Sequence, residues 1–160
     1  MNMHHRVNAD VLHVYTPIEF LLLASFYRGS FESLIVRETI LWTIIIFTVF
    51  CIINPIFLQN VYLFDTYTTS VEFIMLIIMS VAFMSKENDS LNQRWQDNLD
   101  NWFNTGILIY FSGALFYFML SNYLIGFPLY ILFMFQAAHA TLLLILYILF
   151  SIGFIRYKHA

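Results

Sequence analysis

Long apolar runs separated by short polar stretches occupy most of this chain. About 20 apolar residues, each rising about 1.5 Å, match a hydrocarbon layer of ~30 Å, so five of these runs are long enough to cross a bilayer as helices. They fall near residues 12–27, 40–58, 66–84, 103–123 and 129–155. The expected fold is all-α: a polytopic membrane helix bundle of five spans, forming one membrane domain over residues 1–160. Pro17 is expected in the opening turns of the first span, where a missing N–H matters least. Pro55 falls near the end of the second span, and Pro128 is expected at the first helical position of the fifth.

Composition turns this pattern into a class. Hydrophobic residues make up 61 % of the 160, aromatic residues 19 % and charged residues 11 %, more apolar surface than a soluble domain of this size hides in one core. The chain reads as an integral membrane protein whose first partner is the lipid bilayer. Its formal net charge of -3 is small and its basic residues are scattered, which gives no nucleic-acid surface. Cys51 stands alone, so the chain builds neither an internal disulfide nor a thiolate metal site. The first ten residues, "MNMHHRVNAD", are polar and the apolar run after them lacks a small-residue cleavage site, so the first helix is expected to act as the insertion signal.

Charge placement predicts orientation. Arg28 and Arg37 lie between spans one and two, Lys86 and Arg94 between three and four, and Arg156 and Lys158 after span five; only Arg6 falls on the other side. The positive-inside rule then puts the N-terminus outside and the C-terminus in the cytoplasm of a multi-pass membrane protein. The polar stretch 86–101 becomes a cytoplasmic loop. In and beside it Leu91, Trp95, Leu99 and Trp102 recur at three- to four-residue spacing, which predicts a short helix in the inner interface with both tryptophans at headgroup depth.

Two stretches, "VYTPIEFLLL" at 14–23 and "TYTTSVEFIML" at 66–76, place Tyr-Thr and then Glu-Phe inside otherwise apolar helices. The spacing differs by one residue, Tyr15 to Glu19 against Tyr67 to Glu72, so the duplication signal is weak. A carboxyl at a helix centre costs roughly 2.5–3.5 kcal/mol on insertion, against about 0.3–0.6 returned by each Leu, Ile, Phe or Val. Each span tolerates one carboxyl, and a carboxyl that faces lipid gains nothing, so Glu19 and Glu72 are expected to face the bundle interior.

Span five adds Gln136 and His139, about one turn apart. The expected site is an outward-opening polar pocket of Glu19, Glu72, Gln136 and His139, with Tyr15 and Tyr67 above, able to take a proton, a cation or a small polar ligand. The competing reading is that these side chains join helices by hydrogen bonds of about 1 kcal/mol each. A divalent-metal reading is weaker, because no two of its ligands, the one imidazole and the two carboxylates, share a helix at i, i+3 or i, i+4; no metal and no cofactor are expected. In span four Gly106, Tyr110, Gly113 and Tyr117 share one face, which predicts a helix-packing seam. No Ser, Cys or Thr stands beside an evident base and no glycine-rich phosphate loop is present, so no catalytic residue is assigned and an enzyme is not expected.

The stretches "NADVLHVYTPIEFLLLASFYR" at 8–28, "NWFNTGILIYFSGALFYFML" at 101–120 and "HATLLLILYILFSIGFIR" at 139–156 resemble an uncharacterised group of bacterial seven-helix membrane modules, common in Bacteroidetes. The resemblance covers roughly residues 8–156. It implies a membrane input part like that of some sensor histidine kinases, with about two further helices before the segment at Asn8. The present chain is therefore expected to have either a truncated start or a reduced five-helix form. The functional expectation is a sensory or regulatory module that couples the outward pocket to a cytoplasmic signalling partner, a kinase or another membrane subunit. The alternatives are a proton or small-solute transporter or channel subunit, and a structural membrane assembly protein.

Overall fold

A computed structural model describes residues 4–57, 66–87, 95–124 and 126–157, with side chains placed from His13 onward except at a few positions. Among the described residues the chain is entirely helical: α1 His4–Ser30, α2 Leu34–Phe57, α3 Thr66–Glu87, α4 Leu99–Leu124 and α5 Leu129–Tyr157, with a single 3₁₀ turn at Trp95–Asp97. Four of the helices are long and apolar enough to cross a bilayer, over Leu34–Pro55, Thr66–Lys86, Leu99–Leu120 and Leu129–Arg156. This is the architecture of a multi-pass helical membrane protein. α1 is longer than its neighbours' apolar stretches but is interrupted by Arg6, Asp10, Glu19 and Arg28.

Each helix end has a local cause. Ser33, a residue type favoured before a helix, accepts the first bond of α2 through its carbonyl from Arg37 N–H at 3.0 Å. Asn98 caps α4, its side-chain oxygen taking the Asp100 N–H at 3.0 Å. The Pro128 carbonyl accepts from Leu132 N–H at 3.4 Å, so this proline sits just before α5 as its cap rather than at its first helical position. Pro17 differs more. Because α1 already runs from His4, Pro17 lies in the helix interior, where its ring deprives the His13 carbonyl of its usual donor. The polar connection is also shorter than its composition suggests. α3 continues to Glu87 and α4 begins at Leu99, so Trp102 belongs to α4. The described part of the expected interfacial helix is only the 3₁₀ turn, whose Trp95 ring packs 5.2 Å from that of Trp102. Leu91, Arg94 and Lys158 lie outside the described residues.

Packing runs along the chain order but folds back once. α3 and α4 form the centre, α5 lies along α4, and α2 and α3 flank α1. Half of the apolar window of α3 is buried (50 %) against 6 % for α5, so α5 is a peripheral helix whose principal neighbour among the described residues is α4. It is apolar all round, as a helix bathed in hydrocarbon should be. Aromatic pairs join the helices: Phe20 with Phe47 at 4.3 Å, Phe73 with Phe111 at 4.7 Å and Phe103 with Phe150 at 4.4 Å between ring centroids. Such contacts add about 0.5–1.5 kcal/mol each beyond burial.

Charged groups collect at one end. Lys86 Nζ reaches the Ser30 carbonyl at 3.1 Å and Glu32 at 3.5 Å. Arg28 meets Glu38 at 3.9 Å, and Arg156 lies 6.0 Å over the Trp102 ring. With Arg37 at the start of α2, the basic side chains described here share the end formed by the close of α1, α3 and α5 and the start of α2 and α4.

Candidate functional site

Tyr15 and Glu19 are one turn apart on α1, and the Tyr15 hydroxyl donates to Glu19 Oε1 at 3.0 Å. That engages one carboxyl oxygen, and Glu19 also lines a cleft of about 240 Å³ whose walls include Leu22, Phe111, Leu143 and Tyr147. The cleft exists because the α1 backbone stands off from α4. Near the basic end the gap is bridged by long side chains, with Phe26 6.0 Å from Phe103 and the Tyr27 hydroxyl bonded to Asn104. Beyond them Tyr15, Phe111, Tyr147 and Phe150 line the cleft. On another face of α1, Thr16 approaches Thr69 of α3 at 3.4 Å between hydroxyl oxygens.

Glu72 lies on α3 and is 1 % exposed. Tyr110 of α4 packs its ring 6.3 Å from that of Phe73, the residue that follows Glu72 on α3. Its hydroxyl meets His139 Nε2 of α5 at 3.0 Å. The imidazole is stacked on Tyr117 at 5.3 Å and 26°, and Phe118 meets it edge-on at 5.3 Å. Helix α5 gets this close to α4 because two glycines open its path. A Cβ on Gly113 would stand 2.7 Å from Leu142 Cδ1, and one on Gly106 would stand 3.0 Å from Leu146 Cδ1 and 3.2 Å from the Phe150 ring. The face of Gly106, Tyr110, Gly113 and Tyr117 therefore receives α5 and also supplies both tyrosines that hold His139.

The structure thus pairs Tyr15 with Glu19 and His139 with Tyr110, and buries Glu72 on α3. It does not bring in the other two expected members. Gln136 is exposed, because α5 has a single principal neighbour, α4, and its covered side runs through His139, Leu142, Leu143, Leu146, Phe150 and Gly153. Tyr67 is 56 % exposed and lines a separate cavity of about 530 Å³ with Phe50, Ser70 and Met119. The one-residue difference in spacing explains this. At about 100° per residue, Tyr15 and Glu19 lie on nearly one face, whereas five residues place Tyr67 about 140° around the helix from Glu72. The two stretches are alike in sequence and unlike in geometry.

A second polar cluster was not anticipated. Asn104, 1 % exposed, accepts from the Tyr27 hydroxyl at 2.8 Å and from the Ser80 hydroxyl at 2.7 Å through Oδ1, and its amide nitrogen donates to the Ser80 carbonyl at 3.3 Å. This ties α1, α3 and α4 together. Its signal was present as single polar residues inside apolar runs, but the helix faces that bring them together are not visible from one helix at a time. Among the described residues no group of three or more His, Cys, Asp or Glu could hold a metal ion. Compared with known proteins, the chain matches no family model, no curated protein and no solved structure.

Proposed function

We propose that this chain is a five-span sensory or regulatory module of a bacterial inner membrane, in which occupancy of the site around Glu19 and Glu72 is passed through α1 to the cytoplasmic side. The N-terminus lies outside, and the basic end, with the C-terminus, faces the cytoplasm. The observation that carries this reading is the position of α1. One continuous helix bears Tyr15 and Glu19 at the open cleft, Tyr27 on the Asn104 cluster, and Ser30, whose hydroxyl donates to Asp100 at 3.1 Å. Glu19 and Ser30 are separated by roughly 16 Å of helix at about 1.5 Å per residue. A ligand or proton that favours one arrangement of α1 over another shifts the same helix where a kinase or another membrane subunit would read it, and only such differential affinity moves the equilibrium. No catalytic step is assigned.

A transporter reading has its own support. Polar groups are spaced along the bundle from Glu19 and Tyr110 through Tyr27, Asn104 and Ser80 to Lys86, and intramembrane carboxyls suit proton or ion pathways. Two measurements on the full chain in proteoliposomes separate the readings. An environment-sensitive fluorophore on Glu32→Cys, in a Cys51→Ala background, should change emission when Glu19→Gln is added, with no proton flux across the vesicle. Flux that disappears in Glu72→Gln, with unchanged emission, supports transport instead. Unchanged emission and no flux support a structural role.

A further inference from the structure

We infer that the cleft between α1 and α5 binds a lipophilic amine, its nitrogen on the Glu19 carboxyl and its slender apolar body along Leu143 and Ile107; this identity of ligand rests on the reading of Glu19 as the responsive group. Three features of the cleft select that chemistry.

The first is access. Ile18 and Leu22 on α1 and Tyr147 on α5 line the cleft and are more than half exposed, so apolar or aromatic side chains surround the mouth. In a bilayer that mouth opens sideways to acyl chains, so the occupant arrives dissolved in hydrocarbon. The second is size. A volume of about 240 Å³ falls below the roughly 300–1,000 Å³ of pockets that hold drug-sized molecules, so a single alkyl chain or one small ring fits.

The third is charge. The polar groups of the lining are the Glu19 carboxyl and the hydroxyls of Tyr15 and Tyr147, and no Lys, Arg or His is among the described lining residues. Tyr15 already donates to one carboxyl oxygen; the complement to the other is an N–H donor that can carry positive charge. An acid held in low dielectric needs such a partner to ionise. An uncharged amine entering a site with a protonated carboxyl balances completely. The O–H bond of Glu19 breaks, an N–H bond forms, and the resulting ammonium and carboxylate sum to zero charge. A carboxylic acid as ligand would meet a like group, and an alcohol would leave the pair without its charge.

The test uses the full chain in phosphatidylcholine nanodiscs with radiolabelled octylamine, and empty discs as the baseline. One saturable equivalent per chain above the baseline is expected. Octanol and octanoate, with tails of the same length, should displace it at least tenfold less well than unlabelled octylamine. Glu19→Gln should abolish the saturable part, and Leu143→Phe, which narrows the apolar wall and keeps the carboxyl, should weaken it severalfold. Uptake that never exceeds the baseline, displacement by octanol as good as by octylamine, or full binding to Glu19→Gln overturns the inference. Saturable octylamine binding with no change in fluorophore emission at Glu32→Cys leaves it standing and removes the sensory reading. Emission that responds to Glu19→Gln without any octylamine binding does the reverse.

Discussion

The hydroxyl of Tyr27 and the side-chain oxygen of Asn104, 77 positions apart in the chain, meet at 2.8 Å in an interior where the two residues are 0 % and 1 % exposed. Ser80 shares the same acceptor, so one amide joins three helices. Leaving a buried donor unsatisfied costs about 1–3 kcal/mol, more than a typical hydrogen bond contributes when formed. Asn104→Leu should therefore destabilise the bundle by roughly 2–3 kcal/mol, because it strands the Tyr27 hydroxyl and leaves Ser80 only its longer bond to the residue-104 carbonyl at 3.3 Å. Tyr27→Phe should cost only about 1 kcal/mol, since it removes its own donor and leaves Asn104 bonded to Ser80. Equilibrium unfolding in mixed micelles gives both values; equal losses would argue against the shared acceptor.

Close approach of α5 to α4 predicts an order among glycine variants. A Cβ on Gly113 meets the ends of the Leu142 side chain, which can rotate away. A Cβ on Gly153 would meet Trp102 Cβ at 3.0 Å, an atom fixed to its own backbone. Gly153→Ala should lower thermal stability more than Gly113→Ala, with the loss of an overpacked site typically about 1–3 kcal/mol. The reverse order, measured by thermal unfolding in detergent, would mean that the helices are seated differently.

How far this was legible differs from one feature to another. The helical class and four apolar spans follow directly from run length, because backbone groups in lipid have few other ways to be satisfied. The seam on α4 could be read from spacing within one helix. Tyr67 could not be placed by its likeness to Tyr15, since one added residue turns it by about 100°. Gln136 was misplaced for a related reason: its exposure depends on how many neighbours α5 has, a tertiary property. Asn104, Ser80 and Gly153 sit on three different helices and acquire their roles only from contact.

Tyr15 and Tyr67 offer a direct contrast. Tyr15→Phe removes the donor to Glu19 and should change whatever response the fluorophore at Glu32→Cys shows to Glu19→Gln, since the carboxyl is then already released. Tyr67→Phe should leave that response unaltered and change stability by less than about 0.5 kcal/mol, as surface substitutions usually do. A Tyr67→Phe effect as large as that of Tyr15→Phe would place the two tyrosines in one site after all.

At the basic end, the two contacts of Lys86 should have unequal weight. Its partner Glu32 has a side chain 93 % exposed, and exposed pairs contribute about 0–1 kcal/mol and fade with salt. The Ser30 carbonyl, which closes α1, is a half-buried acceptor. Glu32→Gln should be nearly neutral in 0.5 M salt, whereas Lys86→Met should destabilise by roughly 1 kcal/mol at any ionic strength. Loss of the difference between them at high salt would show that the ion pair, not the carbonyl, is what Lys86 serves.

On the proposed reading, α1 carries a change at Glu19 to the opposite, charged end of the bundle. Spin labels at Glu32→Cys and Gln96→Cys, in a Cys51→Ala background, report the distance between the close of α1 and the turn before α4 by pulsed electron–electron resonance in nanodiscs. Glu19→Gln should displace or split that distance distribution while Gln136→Ala leaves it unchanged. Superimposable distributions for Glu19→Gln and the unsubstituted chain would contradict the account.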